Sequence, residues 1–334
     1  MIPLSQQSLN TQNWRQQMAE AFSEPVSLLR FLQLPVTEEL ESLQAHHQFP
    51  LKVPRYYAEL MEKGKRNDPL LLQVLPQSLE MVKAKDYSKD PTGDQKACKG
   101  LGLLQKYHGR ALLITTQSCA IHCRYCFRRH FPYADQQLKK NQWQGLIQAL
   151  AEDSSIQEVI LSGGDPLSLS NQRLKELINA IAAIKHVRRL RIHSRTPVVL
   201  PARLDAGLSR ILSAVPLPIS LVLHINHPNE ITPILGHALQ PLRQSGVTML
   251  NQSVLLKNIN DQFETLEKLS NKMFNYNILP YYIHALDKVE GATHFQVSDK
   301  RALELHAELR NHLPGYLVPR LVREVPGAAS KQPV

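Results

Sequence analysis

The chain has 334 residues, 43% hydrophobic and only 6% aromatic, enough for one large α/β domain with an extension and an aliphatic core. Lys and Arg number 39 against 29 Asp and Glu, a formal charge of +10, spread along the chain rather than gathered in a tail, which leaves open an acidic partner or simply a soluble surface. Four cysteines, three of them in one cluster, rule out a disulfide framework, and the sequence has no apolar signal core and no run of 18 apolar residues. A cytoplasmic protein without membrane contact is expected.

In chain order, residues 1–100 read as helical and irregular. Helices are expected over Asn13–Phe22, Ser27–Leu34 and Tyr56–Glu62, with a further start at Thr37-Glu38-Glu39. Asn67-Asp68-Pro69 and Pro76 are breakers, and the polar stretch Asp86–Lys99 reads as loop. No chemistry is assigned to this part. From residue 110 strands and helices alternate. Strands are expected at Ala111–Thr115, Val159–Leu161, Leu190–Ile192, Ile219–Ile225, Val247–Leu250 and Leu279–Ile283. Helices follow at Gln136–Leu150, Asn171–Ile184, Asp205–Leu212, Glu230–Gln244, Phe263–Phe274 and Asp299–His312, and Tyr316–Val322 is a candidate seventh strand. Such alternation demands a parallel sheet. Without a dinucleotide fingerprint at the first turn, a barrel or partial barrel is favoured, with its site residues at the C-terminal ends of the strands.

The stretch Cys119-Ala120-Ile121-His122-Cys123-Arg124-Tyr125-Cys126 follows the first strand of the alternation. Its spacing fits neither a zinc ribbon nor a four-cysteine ferredoxin run. Three thiolates can hold three corners of a [4Fe–4S] cube and leave one iron open for chemistry; the alternative is a zinc site completed by Cys98 or a histidine. After the second strand, Ser162-Gly163-Gly164-Asp165 forms a turn whose glycines let the backbone approach a ligand. Polar residues also end later strands, and His224 and Gln252 are the candidates singled out there.

The C-x3-C-x2-C spacing resembles that of the radical S-adenosylmethionine (SAM) superfamily. The ordered set CAIHCRYCFRRHF, SGGDPL, TPVVLP, HINHPNEIT, NQSVLL, LPYYIHALD and PGAASK resembles the lysine 2,3-aminomutase family within it. These motifs lie between Lys106 and Lys331, about two-thirds of the chain. The end of the chain soon after Lys331 and the run QNWRQQMAEAF resemble the short type, linked to β-lysylation of elongation factor P.

The resemblance implies a radical SAM partial (β/α)6 barrel spanning 106–323, an N-terminal helical extension over 1–105 and a tail over 324–334. It implies that Cys119, Cys123 and Cys126 hold a [4Fe–4S] cluster. Ser162, Gly163, Gly164 and Asp165 are then expected at SAM, and Lys331 in a Schiff base with pyridoxal 5′-phosphate (PLP), with Arg110 and Tyr107 near that cofactor; His224 and Gln252, chosen by their place at strand ends, are expected to bind a cofactor. Arg128 is expected on the substrate's α-carboxylate and Asp287 and Glu324 on its ε-ammonium, since two acids at one pocket end require a cation between them. The tail carries Gly327-Ala328-Ala329-Ser330 where the family has a glycine run, so a stiffer loop is expected. The implied activity is conversion of L-lysine to β-lysine by a SAM-derived radical and a PLP imine. The implied partners are a lysyl ligase for elongation factor P, elongation factor P itself and an electron donor such as flavodoxin. The alternatives are an aminomutase for another amino acid, which the acid pair disfavours if that substrate is acidic, and a radical SAM RNA-modifying protein. The RNA reading would account for +10 but not for Lys331 or the acids.

Overall fold

A computed structural model describes residues 13–36, 44–100, 102–133 and 143–334. The helix start expected at Thr37–Glu39 and the first part of the helix expected from Gln136 lie outside the described residues. Among the described residues nine strands form one sheet: β1 (Leu103–Leu104), β2 (Arg110–Ile114), β3 (Glu158–Ser162), β4 (Arg189–Ser194), β5 (Ile219–Leu223), β6 (Thr248–Val254), β7 (Leu279–His284), β8 (Arg320–Arg323) and β9 (Gln332–Pro333). They lie in sequence order; β2 to β8 are mutually parallel, and β1 and β9 add antiparallel edges. The expected six strand–helix units and the seventh strand are all present, as an open barrel.

Strands β3 and β5 are almost wholly buried, as expected of parallel strands covered on one face by helices and on the other by the barrel interior. The helices Trp143–Glu152, Asn171–Ala182, Ala206–Ser213, Pro233–Gln244, Phe263–Phe274 and Asp299–His312 follow β2 to β7 in turn. Side chains of Ser170, Asp205, Thr232 and Ser298 cap four of them at the N-terminus. The fourth helix begins at Pro233 rather than at the expected Glu230. Residues Pro228–Glu230 form a 3-10 turn instead, because the Glu230 carboxylate is drawn inward. It accepts the Asn226 and His227 N–H groups at 2.6 and 3.0 Å and pairs with Arg195 at 2.8 Å.

The N-terminal helices are shorter than expected: Trp14–Ala19, Pro25–Phe31 and Arg55–Glu59, with another over Gln44–Gln48. They share the main hydrophobic core with the barrel; Leu28, Leu29 and Tyr57 are fully buried in it. They also grip the cysteine loop. Arg124, fully buried, places a bidentate fork on Glu80 at 2.8 and 2.6 Å and reaches the carbonyls of Ala45 and Phe49. Arg129 binds the same Glu80 at 2.8 Å, and Lys52 donates to the Cys119 carbonyl at 2.8 Å. So the extension fixes the backbone that presents the thiols. The stretch read as loop, Asp86–Lys99, contains a four-residue helix, Asp94–Ala97, whose first residue is buried. At the other end β9 folds back on β8, so the last residues are part of the sheet.

Candidate active site

A cavity of about 520 Å³ opens at the C-terminal ends of the strands and runs down the barrel interior, the size range of small-molecule sites. Every site residue expected from the sequence lines it: Tyr107, Arg110, Cys119, Cys123, Cys126, Arg128, Ser162, Gly163, Gly164, Asp165, His224, Gln252, Asp287, Glu324 and Lys331.

The three thiols occupy one wall. Burial pushes all three up, Cys126 to about 11, so metal binding there must displace protons. Among the described residues no three His, Cys, Asp or Glu side chains group tightly enough to share a single ion. Three thiols on one short loop are soft donors for a metal centre and leave a further position on it open. Cys98 lies off the cavity and packs against Leu104, Ile114 and Phe131.

The glycine turn is locked against the cysteine loop. Gly164 N–H donates to Thr116 O at 2.7 Å and Asp165 N–H to Ser118 O at 2.8 Å. Gly163 has φ +116°. A Cβ on Gly164 would sit 2.6 Å from Ser118 O and 2.7 Å from the Gln117 carbonyl carbon. Both are backbone atoms that cannot swing aside. Gly164→Ala is therefore expected to displace the loop carrying Cys119, costing about 1–3 kcal/mol of stability and lowering iron content after cluster reconstitution; a parent-like iron content would refute it. The Asp165 carboxylate faces the other way, accepting Ser194 Oγ at 2.7 Å and the N–H groups of Arg195 and Thr196 at 2.8 and 2.9 Å. It ties the turn after β3 to the end of β4.

Arg128 is buried, and its Nε donates to Asp94 Oδ2 at 2.6 Å while Nη1 donates to Ser162 Oγ at 3.0 Å. Asp94 also binds Lys106 Nζ at 2.5 Å. Burial opposes ionisation of Asp94, but Arg128 and Lys106 outweigh it and hold the carboxyl well below the usual carboxylate range. So a segment read as chemically silent supplies the anchor of the site's central arginine.

The same cavity carries the two acids. Glu324 accepts Tyr107 Oη on one oxygen and Lys331 Nζ on the other, both at 2.6 Å, and Lys106 Nζ stands 3.7 Å away. Burial raises the Glu324 carboxyl, yet these partners, Lys331 foremost, bring it below its ordinary value. Among the described residues Asp287 has no such direct side-chain partner: burial pushes it up to about 7, opposed by the charge of Lys331 and reinforced by that of Glu324. Arg110 stacks over the Tyr107 ring at 5.0 Å from its centroid.

His224 and Gln252, which also line the cavity, are hydrogen-bonded to each other. Burial pushes the His224 imidazole down to about 3, and His193 and His284 are likewise held far below the ordinary value. All three are neutral imidazoles at pH 7. Both His193 and His284 line the cavity, and among the described residues their Nε2 atoms are buried without a hydrogen-bond partner. His193, His284, Lys106, Asp94 and Arg195 are the residues that sequence reasoning missed. The two histidines stand at strand ends and were findable by position. Asp94 and Lys106 carry no local signal.

The fold and a thiol-lined cavity at the strand ends define a radical SAM enzyme, and the Radical SAM superfamily profile matches residues 113–275. That class holds a [4Fe–4S] cluster and SAM, which the three-thiol wall and the glycine turn beside it fit. The chain is 46% identical to the L-lysine 2,3-aminomutase of Escherichia coli over 98% of its own length and 96% of that protein's. It is 45% identical to that of Haemophilus influenzae, over 96% and 95%, and 35% identical to that of Clostridium subterminale, over 96% and 77%. The chain belongs to the lysine 2,3-aminomutase family of radical SAM isomerases. No helix among the described residues is long and apolar enough to cross a membrane.

Proposed function

We propose that this protein converts L-lysine to β-lysine, using SAM on a [4Fe–4S] cluster together with PLP, and that the product serves modification of elongation factor P. The observation that carries the reading is one cavity lined both by the Arg128 guanidinium and by two carboxylates, Asp287 and Glu324, together with Lys331. Lysine has the complementary ends: a carboxylate for Arg128 and an ammonium for Asp287 and Glu324. Arg128 is pre-oriented by Asp94 and Ser162, so its remaining donors meet a planar carboxylate without rearrangement.

Lys331 is the residue that would carry PLP, with Arg110 as the cation for its phosphate and Tyr107 beside it. Cys119, Cys123 and Cys126 would hold the cluster, and Ser162 to Asp165, His224 and Gln252 would hold SAM. Bound there, the cofactors supply a radical that takes hydrogen from C3 and a support on which the amino group moves from C2 to C3. The protein holds both ends of the substrate fixed, so that only one C3 hydrogen faces the radical. The N-terminal helices close the core behind the cysteine loop and keep water from it. The link to elongation factor P rests on the resemblance to the short family type.

The deciding experiment is anaerobic. The cluster is reconstituted, PLP, SAM, a reductant and L-lysine are added, and β-lysine is sought by chromatography with mass detection. β-Lysine is the expected result; cleavage of SAM without it would move the substrate to another amino acid. Adding elongation factor P and its lysyl ligase, and reading intact mass, tests the second part separately. An unmodified factor in the presence of β-lysine would remove that part alone.

A further inference from the structure

Glu324 and Lys331 are register partners. Strands β8 and β9 pair Val322 with Pro333 and Arg323 with Gln332; one step further, the same register sets residue 324 opposite 331. The turn between them passes through Gly327 with φ +81°. The hairpin thus delivers Lys331 Nζ to Glu324 Oε2 at 2.6 Å. This contact is largely shielded, the side chains being 24% and 9% exposed. The other cation nearby, Lys106, is already held by Asp94 at 2.5 Å and by the Thr92 carbonyl at 2.7 Å. Lys331 is therefore the cation that occupies Glu324, and its only acidic hydrogen-bond partner among the described residues is that carboxylate.

We propose that Glu324 is a positioning residue serving two cations in turn: it holds the Lys331 ammonium until Lys331 captures PLP, and that capture opens the seat for the substrate's side-chain ammonium. The inference rests on the reading of Lys331 and Glu324 given under the proposed function. For capture, the Lys331 ammonium releases one proton to water. The neutral amine adds to the PLP aldehyde carbon, water leaves, and a C=N bond remains. Glu324 loses its direct cation and keeps the Tyr107 hydrogen bond and the Lys106 ammonium at 3.7 Å, near a second carboxylic acid, Asp287. That is an unfavourable arrangement which a new cation relieves. Filling of the seat and capture of PLP are then positively coupled, and the coupling is reciprocal. Free lysine bound before PLP would have to displace Lys331 from Glu324, so the protein selects substrate most strongly once loaded.

The test is PLP affinity, read from Schiff-base absorbance, with borohydride reduction and peptide mapping to confirm attachment at Lys331. N,N-Dimethylpentylamine is the probe cation, since a tertiary amine cannot form a C=N bond with PLP. Expected is a PLP Kd at least fivefold lower in Glu324→Gln than in the parent protein. The probe amine should lower the parent Kd severalfold and leave the variant unchanged. An unchanged or higher Kd in the variant, with PLP still on Lys331, would overturn the proposal, as would a parent Kd indifferent to the amine. The amine arm uses the parent protein alone and holds even if the variant folds poorly. Reduction that labels no residue, or labels one other than Lys331, would instead overturn the underlying reading.

Discussion

Replacing Cys126 by alanine should leave a folded protein that cleaves no SAM. Two thiols remain on the cavity wall, and two thiolates cannot hold three corners of a cluster. Iron and sulfide after reconstitution should fall to background. Formation of 5′-deoxyadenosine and methionine should drop below detection, a loss of about a thousandfold or more, because no other group in the cavity can deliver an electron to SAM. Stability should change little without cofactors. The extension grips the loop through Arg124, Arg129, Lys52 and Glu80, none of which needs the Cys126 sulfur. Cys98→Ala is the matching control. Its side chain packs against the Leu104, Ile114 and Phe131 cluster and does not line the cavity, so that variant should keep its full iron content and its SAM cleavage. Loss of iron in Cys98→Ala would return the cysteine cluster to the reading of a four-ligand metal site.

The contrast between these two cysteines shows what the sequence could and could not carry. Spacing alone drew Cys119, Cys123 and Cys126 together as one ligand set on a short loop; it left Cys98 open as a fourth ligand, and only the fold sets Cys98 outside the cavity lining. The barrel was legible for a similar reason: apolar runs such as Val159-Ile160-Leu161 and amphipathic stretches such as Phe263–Phe274 alternate, and each period is local. What stayed hidden depends on contacts between distant segments. Asp94 reads as one polar residue in a polar stretch, and only the fold brings it 2.6 Å from Arg128. Glu230 has good helix propensity, yet a buried ion pair with Arg195 pulls it out of the following helix. Lys331, near the end of the chain, looks frayed in isolation; the β8–β9 pairing that fixes it is two residues long and has no periodicity to detect. The family resemblance placed Lys331 where local pattern could not, but neither indicated that it would rest on Glu324.

Asp287→Asn should weaken lysine binding and stabilise the protein at the same time. Asp287 is held up at about 7 by burial, and in the proposed role it must be ionised to hold the substrate's ammonium. The lysine side chain stays protonated across this range. Below pH 7 an extra proton has to leave Asp287 before lysine binds, so apparent affinity should fall up to about tenfold per pH unit there and level off above. In the asparagine variant KM for lysine should rise by about 30-fold or more, the effect of truncating one partner of a buried charge pair, and its dependence on pH near 7 should disappear. Stability moves the other way. Burial makes the folded chain hold the Asp287 proton more tightly than the unfolded chain does. Stability from this group is therefore intact below the ordinary value of 3.8 and is lost as pH rises toward about 7. That gap corresponds to on the order of 4 kcal/mol at pH 8. The neutral amide removes this penalty, so the variant without ligands should melt several degrees above the parent at pH 8, and the difference should shrink toward pH 4. Melting curves at the two pH values check this part and lysine saturation curves the other. A variant that binds lysine as the parent does would remove Asp287 from the ammonium site, and one that melts lower at pH 8 would show that the ionised carboxylate has a partner in the folded chain.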